Sequence, residues 1–66
     1  MERTYPLPEG EGHVYVQILV GNEVQFDSNV DKALGVVNCT LKGSGIQQVY
    51  VKYDGVISIN DTVEFS

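Results

Sequence analysis

The chain holds one cysteine, Cys39, and one histidine, His13, among its 66 residues. A single thiol forms no intramolecular disulfide, and two candidate ligands fall short of the four that a structural zinc site takes. Tryptophan is absent, and no run approaches the roughly 20 apolar residues of a membrane-spanning helix. The longest apolar-rich stretch, residues 14–20, is interrupted by Gln17. Basic residues number four and are scattered. A duplex-binding surface needs a basic stripe, so direct nucleic-acid binding is not expected. Residues Met1-Glu2-Arg3-Thr4-Tyr5-Pro6 lack the basic start and apolar core of a signal peptide. With a lone thiol, the expected compartment is the cytoplasm. The sequence also lacks GxGxxG, GxxxxGK[ST] and any convincing Ser-His-Asp set, so neither an enzyme nor a bound cofactor is expected.

Alanine, the best helix former, occurs once, whereas 15 residues are Val or Ile. β-branched side chains crowd a helix and suit a pleated surface, so the composition points to an all-β chain. Nine acidic against four basic residues give a net charge of -5. A chain of this size buries only roughly 60% of its unfolded surface and commonly needs a staple. With disulfides and zinc removed, self-association is the staple that remains, and a homo-oligomer is expected.

Residues 1–12 read as a flexible arm, because Pro6 and Pro8 oppose regular pairing and Glu9-Gly10-Glu11-Gly12 is polar. Residues 13–66 read as a single small β domain. In His13–Val20, Val14, Val16, Ile18 and Val20 alternate with His13, Tyr15, Gln17 and Leu19, which is the period of a strand with one buried face. Gly21-Asn22 marks a turn, and residues 23–27 resume with Val24 and Phe26 inward. Residues 29–35 hold a short helical turn or loop, capped by Ser28 or Asn29 and ended by Gly35. Residues 36–42 form a strand with Val37, Cys39 and Leu41 on one face, followed by a Gly43-Ser44-Gly45 turn.

Residues 46–53 form the next strand, with Val49, Val51 and Tyr53 inward. A three-residue loop, Tyr53-Asp54-Gly55, would set Val51 against Ile57 and Val49 against Ile59, whereas a two-residue loop would mix apolar with polar positions. The same reasoning makes Asn60-Asp61-Thr62 a turn. The expected fold is a small antiparallel β-meander of five to six strands curled into a barrel or sandwich. The likeness to small SH3-like barrels is one of size and strand rhythm, and fold does not fix function.

Three groupings invite chemistry, and each has a plainer reading. Lys42-Gly43-Ser44-Gly45 offers N–H groups and an ammonium but reads as a hairpin turn, since no helix follows. Glu9, Glu11 and His13 alternate as metal ligands would, yet the glycines between them raise the cost of ordering. Cys39 reads as a small buried hydrophobe.

The outward positions carry more information. They include Tyr15, Gln17, Leu19, Val36, Asn38, Thr40, Gln48, Tyr50 and Val56, with Lys42 and Lys52 the main charges. Charge depletion with retained tyrosine and amides marks contact surfaces. The candidate contact residues are Tyr15, Gln17, Gln48, Tyr50 and Lys52, with Arg3 on the arm closing over them. Tyrosine supplies stacking area, glutamine paired donors and acceptors, and lysine a charge for an anionic group. The expected function is a non-enzymatic, homo-oligomeric binding protein. It would sequester or inhibit a protein or small anionic ligand near a subunit boundary, a role that suits a compact chain, a viral one included. The alternatives are a structural or assembly module, such as a virion or scaffold component, and an acidic inhibitor of a nucleic-acid-binding protein.

Overall fold

Alternation of small β-branched residues with polar ones lets a strand bury one face, and five of the six strands bury at least one inward residue this way. In the computed structural model, which describes residues 1–66, the strands are β1 (Glu2–Pro6), β2 (His13–Val20), β3 (Glu23–Asp31), β4 (Val36–Thr40), β5 (Gly45–Tyr53) and β6 (Val56–Phe65). One 3-10 turn, Lys32–Leu34, links β3 to β4. No helix is long and apolar enough to cross a membrane.

Two antiparallel sheets result. One is β1-β4, and the other runs in the order β3-β2-β5-β6. Neither closes into a barrel, and the order is not that of a simple meander, since β2 lies beside β5 and β4 leaves for the other sheet. The sheets share one core of 13 buried residues. From the larger sheet come Val14, Val16, Ile18, Val20, Val49, Val51, Val63 and Phe65. Tyr5, Val37 and Cys39 come from the smaller sheet, with Leu7 and Leu41 from the segments that follow its strands. Pairing brings Leu41 N–H to Met1 O at 2.7 Å and Leu7 N–H to Gly35 O at 3.0 Å, so the small ladder is extended at both ends.

The segment expected as an arm thus pairs over its first half. Pro6 is the last residue of β1, and proline is tolerated at a strand terminus where its missing donor is not needed. Tyr5 and Leu7, both buried, fix the segment to the core. The helical turn between residues 29 and 35 is a 3-10 turn capped by Asp31, whose side chain accepts from Ala33 N–H at 2.9 Å. The expected caps, Ser28 and Asn29, lie within β3 instead, opposite Val16 and Tyr15.

Two bulges correct the expected registers. Opposite β2, the pairing passes from Ile18↔Phe26 to Leu19↔Val24, which leaves Gln25 as the extra residue. Phe26 still packs on the core, but Val24 turns to the opposite face and is 46% exposed. Between β5 and β6 the turn is the two-residue Asp54-Gly55, with φ of 51° and 84° as a primed turn requires. A bulge at Ser58 removes half of the mismatch that argued against this turn: Val51 meets Ile59 instead of Ser58, while Lys52 still faces Ile57, which turns to the outer face.

Asn60-Asp61-Thr62 is not a turn, because β6 continues through it opposite Tyr50, Val49 and Gln48. The inward carboxylate of Asp61 is accommodated by Tyr5, whose hydroxyl donates to Asp61 Oδ2 at 3.0 Å. A second clamp joins β3 to the segment after β4: Gln25 Nε2 donates to Lys42 O and Gln25 Oε1 accepts from Lys42 N–H, both at 2.7 Å.

Candidate functional site

With one face of the β3-β2-β5-β6 sheet turned to the core, strand alternation puts the remaining side chains on the other face. On β2 these are His13, Tyr15, Gln17 and Leu19, the partners of Asp31, Asn29, Asp27 and Val24. On β5 they are Ile46, Gln48, Tyr50 and Lys52, the partners of Glu64, Thr62, Asn60 and Ile57. The β2–β5 register sets Leu19 beside Tyr50 and Gln17 beside Lys52. Neither β1 nor β4 lies on this face, since their inward residues meet the opposite one.

The structure therefore brings Tyr15, Gln17, Gln48, Tyr50 and Lys52 onto one surface. Their centre is the row Val24, Leu19, Tyr50 and Asn60, one residue from each of the four strands. Ile57 and Ile46, 54% and 71% exposed, extend the apolar area toward opposite ends. Carboxylates stand around it: Asp27 and Asp31 on β3, and Glu64 on β6.

Several contacts hold this surface in shape. The Tyr15 hydroxyl donates to Asp27 Oδ1. That hydrogen bond, with burial second, pushes the Tyr15 phenol above its ordinary pKa of 10.0. Gln48 Nε2 donates to Thr62 Oγ1 at 2.9 Å. The β5–β6 turn is tied to β2, because Asp54 N–H donates to Tyr15 O at 2.8 Å and Asp54 Oδ1 accepts from Tyr15 N–H at 3.0 Å. Fixed side chains lose less conformational freedom when a partner binds.

Arg3 does not join this group. It lies on β1 opposite Cys39, on the inward side shared with Tyr5, so it belongs to the other sheet. Its Nε is buried without a hydrogen-bond partner. A shallow depression of about 370 Å³ lies over the same ladder, lined by Glu2, Arg3, Thr4, Asn38, Cys39 and Thr40. Val36, Asn38 and Thr40 are likewise on β4, away from the tyrosine face. Cys39 is buried, and burial pushes its thiol above the ordinary value. No group of three or more His, Cys, Asp or Glu residues is placed to hold a metal ion.

Leu19 was legible as outward from the β2 alternation, but Val24 and Ile57 were not. Both are turned outward where a bulge breaks the period of two. Compared with known protein families, curated proteins and solved structures, the chain shows no match in any of the three.

Proposed function

We propose that this chain is a non-enzymatic, self-associating binding protein that holds a protein partner on the outer face of its four-stranded sheet and so sequesters or inhibits it. The observation that carries the reading is the uncovered face itself, with Val24, Leu19 and Tyr50 in one row and Ile57 nearby. A sheet of this kind commonly alternates apolar-in with polar-out, and an apolar outer row rimmed by polar groups marks a contact site. Tyr15 and Tyr50 add rigid area with a hydroxyl that can bond across an interface. Three rim carboxylates against the single Lys52 fit a partner with a basic border better than a small anion.

The test uses Tyr50→Ala and Leu19→Lys. The partner is first identified as a species retained by the wild-type chain, then purified and titrated directly against the wild type and both variants. The expected result is at least a tenfold loss of affinity, the mark of a central contact, with the fold retained by circular dichroism. If both variants unfold in parallel with the loss of binding, the face is a structural layer and the reading is wrong.

A further inference from the structure

We infer that β6 is the self-association edge: two copies pair their β6 strands antiparallel, centred on Thr62, and join their four-stranded sheets into one of eight. This deepens the self-association part of the proposed function and rests on it. Strand β6 closes one side of the sheet and pairs with β5 alone. None of the six main-chain hydrogen bonds outside the ladders involves it. Its outward N–H and C=O groups therefore form an open row, which another strand completes most directly.

The other edges are poorer templates. β1 and β4 have five residues each, and β1 contains Pro6. β3 carries Glu23, Asp27 and Asp31 and is broken by the bulge at Gln25. β6 is the longest strand, at 10 residues, has neither Lys nor Pro, and carries two charges, Asp61 and Glu64, of which Asp61 is turned inward and held by the Tyr5 hydroxyl. Its bulge lies near the start, at Ser58, so residues 59–65 run in unbroken register.

The register follows from the same residues. Two copies related by a two-fold axis pair position i with position j at a constant sum, and facing side chains must share a sheet face. Within residues 59–65 only registers centred on a residue meet that condition, because inward and outward positions alternate. Centring on Asp61 would set two carboxylates directly opposite, which is destabilising. A centre at Asn60 brings the Ser58 bulge inside the ladder, opposite Thr62. Moving it to Val63 shortens the paired stretch and sets Asp61 against Phe65 of the second copy.

Centring on Thr62 avoids the opposed carboxylates, keeps the bulge out of the ladder and pairs the whole of residues 59–65; Asp61 then faces Val63 of the second copy, with its carboxylate held by the Tyr5 hydroxyl. Thr62 meets its own copy, Asn60 meets Glu64 of the second copy, and Ile59 meets Phe65 of the second copy. Ser58 falls at the end of the paired stretch. Paired threonines and an amide facing a carboxylate are both favourable cross-strand neighbours. Ile59, half-buried in one copy, gains an aromatic neighbour.

Cysteine cross-linking of the full chain tests this. Thr62 is exposed, and native Cys39 is buried and serves as the silent background. Under mild oxidation Thr62→Cys is expected to give a disulfide-linked dimer. Asn60→Cys alone is expected to give none, because its two copies would stand about 13 Å apart along the strands. A mixture of Asn60→Cys with Glu64→Cys is expected to cross-link as a heterodimer. Thr62→Lys, which opposes two ammonium groups, is expected to raise the dimer dissociation constant about fivefold or more in sedimentation runs.

A wild-type chain that sediments as a monomer at tens of micromolar overturns the inference, as does cross-linking of Asn60→Cys equal to that of Thr62→Cys. If the chain associates but Thr62→Cys stays uncross-linked while Tyr50→Ala dissolves the oligomer, the copies meet through the outer face. The edge inference then fails, and the outer face is the contact between copies. If Thr62→Cys cross-links as expected but Tyr50→Ala binds the identified partner normally, the edge stands and the proposed use of the face fails.

Discussion

Removing the hydroxyl of Tyr5 tests how the two sheets are held together. The side chain is 5% exposed, and its O–H donates to Asp61 Oδ2 at 3.0 Å, from β1 to β6. Burial first, and the Asp61 carboxylate second, push the phenol from 10.0 up to about 12. An unfolded tyrosine ionises near 10, so the folded state favours the neutral phenol. The stability this group contributes is complete below about pH 10 and is lost as pH climbs toward about 12. The rise corresponds to at most about 2.7 kcal/mol, and solvent at the sheet border reduces this to about 1–2 kcal/mol.

Tyr5→Phe deletes the donor and leaves the half-buried Asp61 carboxylate without it. At neutral pH the variant is expected to lose about 1–2 kcal/mol, a fall of roughly 5–15 °C in Tm for a domain of this size. Urea unfolding of both proteins across a pH series reads the effect directly. The gap between them should be full near neutrality and should narrow steadily above about pH 10. Burial raises Tyr53 as well, and the Asp27 hydrogen bond raises Tyr15, but both are present in either protein and cancel in the difference. A gap that stays constant through about pH 11, or a variant as stable as the wild type at neutral pH, would refute the reasoning.

Gln25→Ala removes both 2.7 Å bonds between the β3 bulge and the Lys42 main chain. The urea midpoint should drop by an amount equivalent to about 1–2 kcal/mol with an unchanged slope, whereas a changed slope would mean that the bulge also shapes the denatured state. Cys39 is 6% exposed and its thiol is pushed upward by burial, so iodoacetamide should label it on the timescale of unfolding. Labelling of the native chain as fast as a free thiol would show that the β1-β4 sheet opens readily.

Much of the larger sheet is written in alternation. In β2 the period of two separates Val14, Val16, Ile18 and Val20 from the outward Tyr15, Gln17 and Leu19 without reference to any neighbour. The same rule sorts Gln48, Tyr50 and Lys52 on β5 from Val49 and Val51. Pairing between distant segments is not written this way. Nothing local in residues 2–6 names β4 as their partner, and composition argued for an arm.

Bulges are the second blind spot. One extra residue inverts the faces, so a strand read by parity alone misplaces Val24, and a hairpin read by parity alone rejects the turn that forms at Asp54-Gly55. At Asn60-Asp61-Thr62 the useful signal was continuity: Ile59, Val63 and Phe65 keep one period of two if Asp61 faces inward. Turn-like composition outweighed it because the partner that makes an inward Asp61 tolerable, Tyr5, lies 56 positions away.

Self-association and partner binding compete for the same surface if copies meet face to face, since the row of Val24, Leu19 and Tyr50 would then be covered in both. Pairing through β6 removes that conflict. A two-fold axis normal to the sheet keeps both outer faces on the same side, so the dimer presents two copies of the row on one continuous surface. A partner with two matching patches then meets the second at high effective concentration, and avidity can exceed the affinity of either face alone. An edge dimer therefore fits a sequestering role, because it leaves the apolar outer face free and doubles it.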